Sequence, residues 1–116
     1  MSALELSSSH KKYLRGLAHE LDPLVLVGKG GVSDGLLDNL DQALDSHELV
    51  KVKFNDWKDE KKELSAQLAD RLDACQVGSI GNVAIFYRPA RDEKKRHIQL
   101  PKGDRRGRRA AETGGE

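Results

Sequence analysis

The sequence has few of the residues that cross-link small proteins or embed them in membranes. It contains one cysteine, Cys75, in 116 residues, so no disulfide can form within the chain. A lone cysteine in an apolar setting fits a reducing compartment, and we expect the protein to be cytoplasmic. No apolar run approaches the ~20 residues of a membrane span. Residues 1–6 carry no basic segment followed by an apolar one, so neither a secretory signal nor membrane association is predicted.

The groupings of residues that make catalytic and metal sites are also missing. The four histidines are scattered, and none is placed with Cys75 or a serine as in a known nucleophile arrangement. There is no Cys-x-x-Cys and no His-Glu-x-x-His spacing. Asp38, Asp41 and Asp45 recur at helical spacing, which is typical of a solvated helix face. We therefore predict no enzyme activity, no cofactor and no metal site.

Charge is present but unevenly distributed. The formal net charge is only +1, yet residues 88–109 carry ten Lys or Arg against three Asp or Glu. Residues 1–87 carry ten against fourteen. After Pro101 the chain is charged and dotted with glycine, which predicts a folded domain over 1–100 and a basic, disordered tail over 101–116.

Hydrophobic periodicity predicts an α/β domain with the element order α-β-α-β-α-β-β. Serines 7–9 and Ser33 are expected to cap the first two helices, and Asp56 the third. Gly81-Asn82 is a signal for a two-residue hairpin. The predicted elements are helices over 8–21, from 33 and after 56, and strands over 24–27, 49–54, 75–80 and 83–87. Strands separated by helices, followed by a hairpin, predict a four-stranded mixed sheet with three helices. The strand over 24–27 is a short, unbroken apolar run rich in β-branched residues, which predicts a buried strand.

The most informative local feature is the turn between the first strand and the second helix, Gly28-Lys29-Gly30-Gly31. Three glycines remove the side chains that would keep another molecule's backbone at a distance. Peptide N–H groups in such a turn and at the following helix start suit a phosphate, and Lys29 adds a mobile positive charge.

This glycine loop has three interpretations. A nucleotide site is disfavoured because the spacing is not that of a P-loop, and Ser33 stands where a dinucleotide fingerprint needs glycine or alanine. A tight turn in which glycine only supplies unusual backbone angles stays open. A clamp for a nucleic-acid backbone fits best, since KH-type modules approach consecutive phosphates in this way.

Further cations are placed where they could extend such a site. Lys11, Lys12 and Arg15 share one face of the first helix, and Lys51 and Lys53 share one face of the second strand. Either group could instead be an ordinary solvated face. The aromatic residues Tyr13, Trp57 and Tyr87 could stack on bases, although a single aromatic residue is more often part of the core.

Three segments of the sequence together resemble a known family. They are residues 12–19 (KYLRGLAH), residues 23–33 (PLVLVGKGGVS) and residues 47–53 (HELVKVK). Residues 80–81 and 87–89 fit as well. The chain resembles the CRM-domain (YhbY-like) family, named for chloroplast RNA splicing and ribosome maturation, over about residues 6–89. Single-domain bacterial members are the most similar.

The resemblance implies an RNA-binding domain similar in fold to the C-terminal domain of translation initiation factor three. Single-domain bacterial members are linked to precursors of the large ribosomal subunit, so the expected function is ribosome assembly on precursor ribosomal RNA, as a monomer and with large-subunit ribosomal proteins as further partners. The residues expected to contact RNA are Gly28, Lys29, Gly30, Gly31, Lys11, Lys12, Arg15, Lys51, Lys53 and Arg88. The alternative function is a protein-interaction module that docks a basic ribosomal protein on acidic helix faces.

Overall fold

The computed structural model describes residues 6–96 and residue 98. Within them the chain forms the predicted order of three helices and four strands, followed by a short 3-10 turn. The elements are α1 (Ser8–Ala18), β1 (Val25–Val27), α2 (Asp34–His47), β2 (Leu49–Phe54), α3 (Lys61–Leu72), β3 (Cys75–Ile80), β4 (Val83–Tyr87) and the 3-10 turn Glu93–Lys95. Strands β2, β3 and β4 have the predicted bounds. Gly81, with φ +57°, makes the turn between β3 and β4.

The four strands form one mixed sheet in the order β1-β2-β4-β3, which confirms the predicted architecture. The pair β1–β2 is parallel because α2 connects the two strands, whereas β2–β4 and β4–β3 are antiparallel. The carboxyl ends of β1 and β2 therefore lie at the same end of the sheet. The β3–β4 turn lies there too, since the N–H of Phe54 donates to the carbonyl of Asn82 at 2.7 Å.

Helices cover the two faces of the sheet differently. Helices α2 and α3 pack on the face that carries Val50, Val52 and Phe54, and this is the larger of the two core clusters. Helix α1 packs through Leu14 and Ala18 on the opposite face, which we call the α1 face. Because side chains alternate along a strand, Leu49, Lys51 and Lys53 of β2 all belong to the α1 face.

Three predictions about local structure were wrong in detail. The predicted strand over 24–27 is only partly buried: Leu24, which precedes β1, and Leu26 within it are exposed, because β1 is an edge strand that α1 does not cover. Helix α1 ends at Ala18, and a turn rather than a further helical stretch leads to Leu21. Asp56 does not cap α3, which begins at Lys61 after a Glu60 that makes no side-chain capping bond.

The buried carboxylate of Glu48 attaches the segment after β4 to the domain. Glu48 Oε2 accepts from the N–H of Ala90 at 2.8 Å, and Oε1 accepts from the N–H of Ile98 at 3.0 Å. The Glu48 carbonyl also accepts from the N–H of Arg88. The folded part thus extends to at least residue 98. The predicted tail over 101–116 lies outside the described residues, so the boundary near residue 100 stays a prediction.

None of the helices in the described part of the chain is both long enough and apolar enough to cross a membrane.

Candidate nucleic-acid interface

The glycine loop is a closed turn between β1 and α2. Its ends are joined by a hydrogen bond from the N–H of Gly31 to the carbonyl of Gly28 at 3.0 Å. Ser33 then caps α2 as predicted, with its Oγ accepting from the N–H of Leu36 at 3.2 Å. The N–H of Gly31 is therefore occupied within the turn. The prediction that the peptide N–H groups of the loop contact a phosphate is thus wrong for this group.

The glycines of the loop have different surroundings. A Cβ built on Gly28 or Gly30 would meet nothing within 4 Å, so the outer side of the turn is open. A Cβ on Gly31 would lie 3.3 Å from Trp57 Nε1, and Gly31 has φ +66°, a conformation that residues with side chains rarely adopt. Lys29 is exposed between the two open glycines. Gly31 is thus needed for the fold, whereas Gly28 and Gly30 leave room for a ligand.

Trp57, which the sequence offered only as one of three aromatic residues that could stack on bases, lies at the glycine loop. Its Nε1–H donates to the carbonyl of Lys29 at 3.1 Å, and its ring lies against Gly31. The side chain nevertheless remains 45% exposed. A lone tryptophan in a polar loop carries no periodicity, so no sequence signal could have placed its ring against a turn 28 residues away.

Lys53 lies close to the loop on the α1 face of the sheet. In the sheet register, Lys53 lies opposite Leu26 of β1, which is two residues before Gly28. On its other side Lys53 lies opposite Val83 of β4, and Val83 in turn lies opposite Ile80 of β3. Leu26 and Ile80 are more than half exposed, so α1 leaves this row of the sheet open to solvent. Lys53 therefore presents its charge on an uncovered surface next to the glycine loop.

The cations of α1 lie on the same face of the sheet as Lys51 and Lys53. Lys12 is exposed and Lys11 is half-buried. Arg15 donates from Nη1 to the carbonyl of Val77 at 2.8 Å, and its aliphatic stem covers Gly78. Lys51 donates from Nζ to the carbonyl of Leu21 at 2.8 Å. Arg15 and Lys51 thus also tether α1 and the turn after it to the sheet.

Arg88 is the predicted contact residue that the structure contradicts. Its side chain is only 6% exposed and forms ion pairs with Asp41 at 2.8 Å and Asp45 at 3.1 Å. It also donates to the carbonyls of Leu72 and Asp41. The Arg88 guanidinium holds α2, α3 and the end of β4 together, so it is not available to a ligand. No local pattern reveals this, because the partners are 47 and 43 residues away.

The same contacts correct the prediction that Asp41 and Asp45 belong to a solvated helix face. Arg91 adds further ion pairs to both carboxylates. Partial burial raises the pKa of Asp41, but the hydrogen bonds and positive charges of Arg88 and Arg91 outweigh this effect, so the pKa lies below its usual value.

The other aromatic and titratable residues offer little at the loop. Tyr87 is buried, and burial together with the charge of Glu48 raises its pKa to about 12. Tyr13 is exposed on the outer side of α1. Cys75 is buried. Among residues 6–96 and 98, no three His, Cys, Asp or Glu side chains come together as metal ligands.

Fold and site together define a small α/β domain with a lysine-bearing glycine loop beside an exposed aromatic ring. The chain belongs to the CRM-domain family: the sequence profile of the CRS1 / YhbY (CRM) domain matches residues 6–88.

Several proteins of known name or structure are similar to this chain over most of their length. An "RNA-binding protein" of Haemophilus influenzae is 41% identical over 98 residues, which cover 84% of this chain and 96% of the relative. The "Probable RNA-binding protein YqeI" of Bacillus subtilis is 33% identical over 97 residues, covering 83% and 99%. The solution structure of a Staphylococcus aureus protein, described as an RNA-binding candidate, superposes with a TM-score of 0.69 at 36% identity. It covers 84% of this chain and 100% of that protein.

Proposed function

We propose that this protein binds RNA at the open side of its glycine loop and acts in ribosome assembly on precursor large-subunit ribosomal RNA. The observation that carries the RNA proposal is the free space at Gly28 and Gly30 on either side of exposed Lys29. A sugar-phosphate backbone can approach such a turn to contact distance, and the lysine neutralises a phosphate there.

The charges on the α1 face and the relatives support this proposal. Lys53 lies beside the loop, and Lys11 and Lys12 share the same face of the sheet. Relatives from two bacteria bear names that describe RNA binding. The assembly role rests on the resemblance to single-domain bacterial members of the family. We further propose that the protein is a cytoplasmic monomer that acts without catalysis.

The alternative function, docking of a basic ribosomal protein on acidic helix faces, has less support. Asp41 and Asp45 of α2 are already neutralised by Arg88 and Arg91 within the domain. The acidic face of α2 therefore offers a partner fewer free carboxylates than its sequence suggests.

Replacing Lys29 tests the RNA proposal directly. Lys29→Glu should weaken binding of a single-stranded RNA by roughly tenfold in a fluorescence anisotropy titration at fixed salt, because a phosphate contact becomes a repulsion. The matched control is Arg71→Glu, the same change in charge at an exposed position in the last turn of α3. An equal affinity of the Lys29 and Arg71 variants would show that the glycine loop is not part of the RNA site.

The assembly proposal needs a separate test in cells. Sequencing the RNA crosslinked to the protein should recover precursor large-subunit ribosomal RNA, and recovery should fall for Lys29→Glu. Crosslinks spread over unrelated RNAs would contradict the assembly role and leave the RNA-binding proposal standing.

A further inference from the structure

A loop that attracts phosphates through charge alone would need neither the contacts nor the backbone conformation of Trp57. Trp57 is the only tryptophan of the chain. Its backbone has φ +62°, the left-handed region that bulky residues rarely adopt, and its ring is almost half exposed. A large aromatic side chain held in an unfavoured conformation without being buried is unusual for a residue that serves only the core.

We infer that Trp57 is a stacking platform for a nucleobase of single-stranded RNA, placed beside the phosphate contact of Lys29. The inference rests on the proposed function and adds the kind of RNA that the site takes. A base can stack on an indole only when it is not paired and stacked within a duplex.

The ring is fixed in position relative to the glycine loop. Its Nε1–H donates to the Lys29 carbonyl at 3.1 Å, and Gly31 lies against the indole. One part of the ring thus holds the turn that carries Lys29, while Trp57 as a whole remains 45% exposed to solvent. A platform fixed in this way loses little conformational freedom when a base settles on it.

The space beside the ring suits a base. An open depression of about 600 Å³ lies there, lined by Lys29 and by residues 55–60. Lys29 and Lys58 supply positive charge, which attracts the phosphate next to the stacked base. Asp56, Asp59 and Glu60 supply carboxylates, which repel phosphate but accept hydrogen bonds from the N–H groups of a base.

Because Trp57 is the only tryptophan, its fluorescence reports on this position alone. The probe is a 12-nucleotide RNA of A and C, which cannot pair with itself, and inorganic polyphosphate is the control that carries charge without bases. We expect the RNA to quench Trp57 emission, with the same midpoint as anisotropy of the labelled RNA. Polyphosphate should bind without comparable quenching.

Two variants separate stacking from support of the loop. Trp57→Phe keeps an aromatic face but loses the Nε1–H bond to Lys29, whereas Trp57→Leu loses both. Thermal melting monitored by circular dichroism verifies that each variant is folded. We expect Trp57→Leu to weaken RNA binding by about 5- to 150-fold, the range for loss of one stacked base, and Trp57→Phe to bind clearly more tightly than Trp57→Leu. The salt dependence should not change, since neither substitution alters charge.

The outcomes against the inference are distinct from failure of the proposed function. If wild-type protein binds the RNA with unchanged tryptophan emission and Trp57→Leu binds equally well, stacking is wrong and RNA binding stands. Equal losses for the Phe and Leu variants without quenching would reduce Trp57 to a support of the loop, and would likewise overturn stacking. If the wild-type protein does not bind the RNA, the proposed function fails and the inference fails with it.

Discussion

At the scale of single residues, adjacent glycines of one loop have separate roles. Gly31 is required by its positive φ and by the Trp57 ring against it, while Gly30 has no atom near the place of its missing Cβ and has no positive φ. The fold therefore explains why position 31 is glycine, but it does not explain why position 30 is. A glycine that the fold does not require leaves open space beside the backbone, as expected where a ligand approaches.

Alanine substitutions at these two positions should consequently give opposite results. Gly31→Ala should lower the free energy of unfolding by about 1 kcal/mol or more, because alanine is strained at this φ and its methyl presses on Trp57. Gly30→Ala should leave stability nearly unchanged and weaken RNA binding, since its methyl occupies the approach of the RNA backbone. Urea unfolding and RNA titration of the same preparations measure both quantities. A loop that is only a turn would show unchanged RNA affinity for Gly30→Ala.

At the scale of elements, one buried arginine joins parts of the chain that are remote in sequence. Arg88 follows β4 directly and pairs with two carboxylates of α2 and a carbonyl at the end of α3. The buried carboxylate of Glu48 secures the following segment in the same region. These contacts make residues 88–96 and residue 98 part of the domain, although their composition resembles that of a charged tail.

Removing the Arg88 guanidinium should therefore affect folding and not binding. Arg88→Met should lower the free energy of unfolding by about 2–3 kcal/mol at pH 7, because the half-buried carboxylates of Asp41 and Asp45 lose their partner. Arg71→Met, at an exposed position on α3, should change it by less than about 0.5 kcal/mol. RNA affinity per folded Arg88→Met molecule should equal that of the wild type. A loss of affinity would show that Arg88 contacts RNA after all.

The loss of stability in Arg88→Met should depend on pH. The pKa of Asp41 is lowered in the folded state, so the stability that its ion pairs contribute is present above the unfolded-state pKa of about 4. This contribution is lost as the pH falls through the lowered, folded-state pKa. The difference in unfolding free energy between wild type and Arg88→Met should thus be constant near neutral pH and shrink below about pH 4. Urea unfolding at a series of pH values measures it.

At the scale of the whole molecule, a net charge of +1 conceals a division between an acidic domain and a basic end. Residues 102–116 contain Lys102, Arg105, Arg106, Arg108 and Arg109, and their only apolar side chains are two alanines. Charge of this kind binds RNA without regard to sequence.

Deleting residues 102–116 should weaken RNA binding and flatten its dependence on salt. Each phosphate that the shortened chain no longer neutralises should reduce the slope of log K against log salt by roughly 0.7–0.9. The melting temperature should hardly change, since the deleted residues bring no large apolar side chain to the core. A large fall in melting temperature would show that the fold depends on this segment.

The sequence by itself determined the features that depend on near neighbours. Alternation over 49–54 and the Gly81-Asn82 turn fixed the bounds of β2, β3 and β4, because side-chain period and turn chemistry act within a few residues. Ser33 capped α2 as predicted, and the glycine loop stands where its composition placed it.

Only the tertiary structure decided which of these residues face solvent and which face one another. It buried Arg88 between Asp41 and Asp45, left Leu26 exposed on an edge strand, and brought Trp57 against Lys29. Each outcome depends on partners tens of residues away or on where α1 ends, and neither propensity nor periodicity carries that information. A charged or aromatic side chain has the same local pattern whether it is buried or exposed, and packing alone decides between the two.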